Sequence, residues 1–365
     1  MVEAWLARDR GHCGGEQNVL RSGDSEPAKG PRMASSETRF GSDDLIGEDL
    51  AVDFAPWGRI YLRNKRPAGV ERFTSDRIVI FQHGATYGSG AFDLPFAGMS
   101  WMDYAAVRGF DCYCLDLPGY GRSTRPPQMD EPADRNPPFM RTPDAAACLG
   151  AVIDFVCRRR SVEKVCLVGW SWGTVITSYY TQSNNHRVER LTLNAPVWDR
   201  TRSGPSPIHV EGKLGAYRTI DRDASIKRRQ GGLTDAQKAG IMPPGWFDHW
   251  WDATVAADPM GDGKTVRAPN GVVLDGIEYW NVGRALYDPA RITVPVLVVV
   301  GAWDNDTPPY MAQSIFPLLT SAPWSRLAIL SGGTHTMLME RNRILLLRTV
   351  QQFLEEAPPG PDVLA

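Results

Sequence analysis

Short apolar runs alternate along the chain with longer segments in which apolar residues recur at helical spacing. The runs are typical of β-strands and the longer segments of helices. The predicted strands are Leu50–Phe54, Arg59–Arg63, Ile78–Gln82, Phe110–Leu115, Val165–Val168, Arg190–Asn194, Val294–Val300 and Arg326–Leu330, and the predicted helices are Trp101–Val107, Asp144–Arg160, Thr174–Tyr180, Pro309–Leu319 and Met337–Glu355. Strands that alternate with helices indicate an α/β fold, in which helices cover both faces of a mostly parallel sheet.

This alternation is interrupted between residues 197 and 290, where proline, glycine, tryptophan and charged residues are mixed with weak periodicity. We interpret residues 197–290 as an inserted helical cap or lid over the strand ends, and residues 43–196 and 291–357 as the core. Residues 1–42 are rich in polar residues and predict a disordered N-terminal tail, with Met33 as an alternative start of translation. Residues 358–365 are expected to form a flexible C-terminal tail.

Net charge, apolar runs and cysteine spacing limit the partners, compartment and cofactors that the sequence predicts. The formal net charge is −2, so bulk charge indicates neither a nucleic acid nor an anionic membrane as a partner. No apolar run reaches the roughly 20 residues of a membrane-spanning helix. The six cysteines include no C-x-x-C pair, which favours buried free thiols in a reducing, cytoplasmic compartment. The sequence carries no metal-binding or cofactor-binding motif, so we expect neither a metal nor a cofactor.

The strongest chemical signal is Gly-Trp-Ser-Trp-Gly at Gly169–Gly173. It stands between a predicted strand and a predicted helix, and a serine between two glycines on such a turn is the pattern of a nucleophile elbow. Glycine has no Cβ, so both glycines allow a tight turn. Ser171 is then exposed at the start of a helix, where the backbone N–H of Trp172 can stabilise an oxyanion.

A serine becomes nucleophilic only when a base takes its proton and an acid orients that base. His335 is the predicted base, because it lies in a glycine-rich loop after a strand, where open α/β sheets collect functional groups. Asp304 follows the most hydrophobic strand and is the predicted acid. Asp306 lies two residues further on, Asp199 follows another strand, and both remain alternatives.

A second oxyanion donor is expected after strand Ile78–Gln82. The strand ends in His-Gly, and the small residues there can bring the backbone N–H of Ala85 close to the elbow. We interpret His83 as a structural histidine that packs beneath this loop rather than as a base.

These motifs together resemble those of the α/β-hydrolase fold family, from about residue 48 to residue 354. The motifs are His-Gly at 83–84, Asp-Leu-Pro-Gly-Tyr-Gly-Arg-Ser at 116–123, the elbow, Gly-x-x-Asp-x-x-x-Pro at 301–308 and Gly-x-His at 333–335. The resemblance implies Ser171 as nucleophile, Asp304 as acid and His335 as base. Some members of the family place the acid after the sixth strand, which keeps Asp199 open.

The same resemblance separates the chain from several relatives. Dehalogenases and epoxide hydrolases of this fold have aspartate at the elbow, so Ser171 implies an acyl-enzyme instead. Proline iminopeptidases have a similar elbow, but their His-Gly-Gly-Pro-Gly motif is replaced here by His-Gly-Ala-Thr-Tyr at 83–87. This difference weakens the interpretation as a peptidase.

The predicted cap is unusually rich in aromatic residues, above all between Pro243 and Trp251. The rings either pack a small cap onto the core or form an apolar pocket for substrate, and both interpretations stay open. The predicted substrate-binding residues are Tyr87, Trp198, Trp246, Trp250, Trp251 and Trp280.

The sequence thus predicts a cofactor-independent serine hydrolase that cleaves a small hydrophobic carboxylic ester or lactone with an apolar or aromatic part. Amidase or peptidase, thioesterase, C–C bond hydrolase and acyltransferase activities use the same groups and stay open. A member of the fold that binds a small ligand without catalysis is the alternative from another class. The pattern does not indicate the oligomeric state.

Overall fold

The structure is a computed structural model that describes residues 39–94, 100–202, 208–357 and 359. Most of each predicted tail lies outside the described residues. These parts are residues 1–38 of the N-terminal tail and residues 358 and 360–365 of the C-terminal tail. The strands are β1 (Leu45–Phe54), β2 (Gly58–Pro67), β3 (Ile78–Gln82), β4 (Asp111–Leu115), β5 (Val165–Trp170), β6 (Val188–Asn194), β7 (Tyr217–Ile220), β8 (Val266–Pro269), β9 (Val296–Gly301) and β10 (Ser325–Leu330).

Eight of these strands form one sheet in the order β1-β2-β4-β3-β5-β6-β9-β10. Strands β1, β2 and β4 pair antiparallel, and the other neighbours in this sheet pair parallel. This arrangement confirms the predicted α/β class with a mostly parallel sheet. Because β3, β5, β6, β9 and β10 run parallel, the loops that follow them all leave from the same edge of the sheet.

Helices cover both faces of the sheet. They are α1 (Trp101–Ala106), α2 (Thr142–Arg160), α3 (Trp172–Thr181), α4 (Arg222–Arg229), α5 (Asp235–Ile241), α6 (Trp246–Ala256), α7 (Gly271–Glu278), α8 (Pro309–Ile315) and α9 (Arg343–Glu355). Alternate residues of β3 point to opposite faces: Ile80 packs in one hydrophobic cluster with α2 and α3, and Phe81 packs in the other with α1 and α9. This two-sided burial explains why β3 is apolar at successive positions.

The last predicted helix is shorter in the structure than in the sequence analysis. A single 3₁₀ turn covers Met337–Met339, Glu340 is extended, and the α-helix begins at Arg343. The buried carboxylate of Glu340 accepts hydrogen bonds from the backbone N–H of Thr334 (3.1 Å) and the hydroxyl of Thr336 (3.1 Å). These bonds to the preceding loop replace the helical conformation that the apolar periodicity of 337–355 predicts.

The segment 197–290 contains α4, α5, α6 and α7, and also the small antiparallel sheet of β7 and β8. The sequence analysis predicts helices in this segment but not this sheet. In the pairing, Tyr217 lies opposite Pro269, and each strand has four residues. Strands this short carry little periodic signal, and their partners are distant in the sequence, so local patterns could not reveal them.

Candidate active site

Ser171 lies between the end of β5 and the start of α3, as the elbow pattern predicts. Its backbone has φ 58° and ψ −123°, which is an unfavourable conformation for a residue with a side chain. The turn is close-packed: a Cβ on Gly173 would overlap the carbonyl oxygen of Gln82, at the end of β3. The close approach of β3 to the turn therefore requires glycine at 173.

The two tryptophans of the elbow anchor it to neighbouring elements. Trp170 donates a hydrogen bond from its indole N–H to the backbone carbonyl of His335 (2.9 Å), and Trp172 donates one to the hydroxyl of Thr142 (2.9 Å). Both side chains are buried. The indole of Trp170 thus links the elbow directly to the loop that carries His335, a role that the sequence analysis does not assign to it.

The structure brings Ser171, His335 and Asp304 together. His335 Nε2 lies 2.9 Å from Ser171 Oγ, and His335 Nδ1 lies 2.9 and 3.2 Å from the two carboxylate oxygens of Asp304. Since the carboxylate accepts the proton on Nδ1, Nε2 is left as an acceptor for the hydroxyl of Ser171. This is the hydrogen-bonded order of nucleophile, base and acid.

Asp304 is held in place by the turn that follows it. Its carboxylate accepts hydrogen bonds from the backbone N–H groups of Asp306 (2.9 Å) and Thr307 (2.8 Å) and from the hydroxyl of Thr307 (2.9 Å). The same hydroxyl lies 3.2 Å from His335 Nδ1. The carboxylate is buried and fully engaged, so its orientation toward His335 is set before any substrate arrives.

The two alternative acids have other partners. The carboxylate of Asp306 pairs with the guanidinium of Arg228 (3.1 Å). The carboxylate of Asp199 accepts hydrogen bonds from the backbone N–H (2.7 Å) and the hydroxyl (2.6 Å) of Thr201. Of the three carboxylates, Asp304 is the one that contacts the imidazole.

The environment of His335 favours its protonated form. Burial lowers the pKa of the imidazole, but the negative charge and hydrogen bond of Asp304, together with the charge of Asp306, outweigh burial and hold the pKa above the ordinary value of 6.5. A base with a raised pKa accepts a proton more readily, provided that the medium leaves it neutral beforehand.

The loop after β3 reaches the elbow at Gly84, where a Cβ would lie 2.7 Å from the Cβ of Ser171. Ala85 and Trp172, the two predicted oxyanion donors, line the same cavity as Ser171. His83 is completely buried: its Nε2 accepts a hydrogen bond from the N–H of Leu117 (3.1 Å), and its Nδ1 lies 2.7 Å from the carbonyl oxygen of Gly84. Both ring nitrogens are engaged away from Ser171, in agreement with a structural role.

A cavity of about 530 Å³ opens beside Ser171. Its apolar side is formed by Val197, Ile208, Val210, Leu214, Val272, Val273 and Trp280. Three arginines, Arg200, Arg218 and Arg228, line it as well. Arg218 donates hydrogen bonds to the hydroxyl of Thr86 (2.6 Å) and the carbonyl oxygen of Pro269 (2.7 Å). The cavity is thus partly apolar and partly cationic, and the sequence analysis predicts only the apolar part.

Of the six predicted substrate-binding residues, two lie in cavities next to Ser171. Trp280 lines the large cavity, and Tyr87 lines a small recess that also contains Ser171 and His335. The other four, Trp198, Trp246, Trp250 and Trp251, line neither of these cavities. Trp250 and Trp251 are buried in the hydrophobic cluster that contains α1 and α9, because these large rings fill the space between α6 and the core.

The remaining two tryptophans also lie away from the large cavity. Trp246 packs against the guanidinium of Arg343, which lies 5.0 Å from its ring centroid. Trp198 packs edge-on against Tyr287 with a centroid distance of 5.4 Å. The dense aromatic segment of 243–251 is therefore explained by packing.

No cluster of three or more His, Cys, Asp or Glu side chains is placed to hold a metal ion among the described residues. The five described cysteines are buried free thiols, and Cys13 lies outside the described residues. Within the described ranges, no helix has the length and apolar character needed to cross a bilayer.

The sheet, the strand order and the loops gathered at one edge define an α/β fold with a Ser-His-Asp cluster. Residues 77–222 match the family model of the alpha/beta hydrolase fold. The chain therefore has the alpha/beta hydrolase fold.

Solved structures agree with this fold at low sequence identity. A monoacylglycerol lipase from Paleococcus ferrophilus is 18% identical with a TM-score of 0.52, over 81% of this chain and 98% of that chain. A thermophilic esterase from Thermogutta terrifontis is 16% identical with a TM-score of 0.53, over 84% and 98%. A thioesterase domain from the curacin biosynthetic pathway is 16% identical with a TM-score of 0.52, over 85% and 100%. No curated protein sequence matches the chain.

Proposed function

We propose that this protein is a serine hydrolase that cleaves a carboxylic ester or lactone through an acyl-enzyme. The observation that carries the proposal is the continuous hydrogen-bonded path from Ser171 Oγ through both nitrogens of His335 to the carboxylate of Asp304. The proposal draws further support from the match of residues 77–222 to the alpha/beta hydrolase family model and from the likeness of the fold to an esterase, a lipase and a thioesterase domain.

The first half of the proposed reaction forms the acyl-enzyme. Ser171 Oγ attacks the carbonyl carbon of the substrate while His335 Nε2 takes the hydroxyl proton. The carboxylate of Asp304 holds the imidazole in the required tautomer and stabilises its positive charge. The tetrahedral intermediate then collapses, and His335 gives the proton to the departing alcohol oxygen, so that the acyl group remains on Ser171.

In the second half, His335 removes a proton from water, and the resulting hydroxide oxygen attacks the acyl carbon. Ser171 leaves with the proton returned by His335, and the carboxylic acid is released. In both halves the oxyanion is bound by the backbone N–H groups of Ala85 and Trp172, which belong to the loop after β3 and the first residue of α3. A lactone follows the same steps with one product instead of two.

The apolar side of the 530 Å³ cavity supports an apolar part in the substrate, since a pocket of this size and lining buries most of a small ligand. Among the predicted aromatic residues, Trp280 lines this cavity and Tyr87 lines the small recess beside Ser171, and their positions support roles in binding. Substrate binding by Trp198, Trp246, Trp250 or Trp251 is not part of the proposal.

A fluorophosphonate probe tests the proposal directly. We expect the probe to form one covalent adduct on Ser171, detected by mass spectrometry of the peptide that contains the elbow, because its phosphorus mimics the acyl carbon. Heat-denatured protein serves as the control, since it has the same serine without the base. If the native protein is not labelled at Ser171, or is labelled no faster than the denatured protein, the fold would serve ligand binding without catalysis.

The pH dependence of the rate provides a second test. His335 can act as a base only in its neutral form, and the charge of Asp304 keeps the pKa of His335 above 6.5. We therefore expect kcat/KM for a neutral ester to decrease as the pH is lowered through a pKa higher than 6.5. In Asp304→Asn this acid limb should move to lower pH. An acid limb at or below 6.5 in the wild type would contradict the assigned environment of His335.

A further inference from the structure

Arg229, the last residue of α4, has a buried side chain with no hydrogen-bond acceptor. It is 8% exposed, and no described residue accepts a hydrogen bond of ordinary geometry from its Nε, Nη1 or Nη2, although the side chain of Tyr87 interacts with the guanidinium. Its guanidinium stacks on the ring of Trp250 at 3.7 Å from the centroid and lies 4.9 Å from that of Tyr87. The rings favour the positive charge but leave the N–H donors unsatisfied, which is costly in a buried position.

Arg229 lies beside the reacting groups. Arg229 lines a small recess together with Ser171, His335, Tyr87 and Gly84. The recess has a volume of about 30 Å³. A space of this size admits water-sized polar groups, such as the oxygens of a carboxylate. A carboxylate also matches the planar donor fork of arginine.

The nearby acidic side chains already have partners. Asp306 pairs with Arg228, and Glu340 accepts hydrogen bonds from Thr334 and Thr336. The recess and the large cavity together are lined by four arginines, namely Arg200, Arg218, Arg228 and Arg229, and by one aspartate, Asp306. Positive charge is therefore in excess around Ser171, although the whole chain has a net charge of −2.

We propose that Arg229 binds a carboxylate on the substrate, so that the preferred ester or lactone has an apolar body and a carboxylate near the scissile bond. This inference rests on the proposed function and specifies its substrate class. The carboxylate would occupy the recess and pair with the guanidinium, while the apolar body would lie against Val272 and Trp280 in the large cavity. Binding of the substrate would supply the acceptors that Arg229 lacks in the free protein.

Matched pairs of esters test this proposal. In one arm, the mono-p-nitrophenyl esters of glutaric, adipic and pimelic acid are each compared with the corresponding terminal amide, which has nearly the same shape and no charge. In the other arm, the hexanoyl ester of 4-hydroxybenzoate is compared with that of 4-hydroxybenzamide, so that the charge is on the alcohol. We expect kcat/KM in at least one pair to be about 10- to 100-fold higher for the carboxylate, after subtraction of the uncatalysed rate.

Three variants show whether Arg229 is the cause. Arg229→Met should abolish the preference, measured as the ratio of kcat/KM for the two members of a pair, and Arg229→Lys should restore part of it, because lysine keeps the charge without the planar fork. Arg222→Met is the matched control, since Arg222 is at the other end of α4, is partly exposed and pairs with Asp248. It should retain the full preference.

The outcomes separate the two proposals. If the neutral esters are hydrolysed but no pair shows a preference, or if the preference persists in Arg229→Met, the carboxylate site is wrong and the hydrolase remains. If no ester is hydrolysed and Ser171 is not labelled, the hydrolase itself is wrong. Should Arg229→Met fail to fold, adipate and adipamate are compared as competitive inhibitors of the wild type and of Arg229→Lys. Equal inhibition by both compounds in the wild type would overturn the carboxylate site.

Discussion

Replacing Ser171 with alanine should reduce kcat for a p-nitrophenyl ester by about 10⁴- to 10⁶-fold, while the protein remains folded. The alanine removes the oxygen that is 2.9 Å from His335 Nε2, and with it the atom that forms the acyl-enzyme. Residual turnover then depends on water and the oxyanion donors alone. The measurement is kcat and KM of the purified variant with its thermal unfolding midpoint recorded beside that of the wild type.

A matched control removes the hydroxyl of another serine, away from the site. Ser183 is exposed just beyond the end of α3, so Ser183→Ala should keep wild-type kcat and labelling. His335→Ala should lose about as much activity as Ser171→Ala, and the double variant little more, because nucleophile and base act as one unit. Substantial turnover by purified Ser171→Ala would place the chemistry on another residue.

Replacing Asp304 with asparagine should lower kcat by about 10⁴-fold with little change in KM. Asparagine retains the shape of the aspartate but has no charge and only one side-chain oxygen. It therefore no longer fixes the proton of His335 on Nδ1. The imidazole is then free to adopt the tautomer in which Nε2 carries the proton, and it cannot accept a proton from Ser171.

The two other aspartates provide the comparison. Asp199→Asn should leave kcat unchanged, because the carboxylate of Asp199 is engaged by Thr201. Asp306→Asn should have an intermediate effect that appears mainly in KM, because Asp306 pairs with Arg228 beside the cavity. A loss larger in either variant than in Asp304→Asn would transfer the role of the acid to that residue.

The central strands of the sheet could be read from the sequence because β3, β4, β5 and β9 are buried at every position. Strands β3 and β9 appear as uninterrupted apolar runs, and the prediction for β3 agrees with the structure at both ends. The elements that the sequence analysis misjudged depend on contacts outside the local pattern. The helix predicted at 337–355 starts late because Glu340 binds the loop at Thr334, and β7 pairs with a strand distant in the sequence.

Part of the candidate site could also be predicted, because three of its residues stand in local sequence motifs. Ser171, Asp304 and His335 stand in short motifs whose turns are dictated by glycine and proline, and the topology of a parallel sheet brings such loops to one edge. The surroundings of these residues carry no motif. Nothing in the order of residues indicates that Trp170 bonds to the loop of His335 or that Thr307 bonds to Asp304, although both are close in sequence to predicted site residues.

By itself, then, the amino-acid order indicated the class of fold, Ser171 and His335 as candidate reacting groups and a choice among three aspartates, because buried strands and tight turns each restrict which residues can occupy them. Only the tertiary structure decided which aspartate contacts the imidazole, which tryptophans face a cavity and that Arg229 is buried without an acceptor beside Ser171. These features result from the packing of side chains that lie far apart along the chain. A residue that is ordinary in its local sequence can therefore take on a particular role once the fold encloses it.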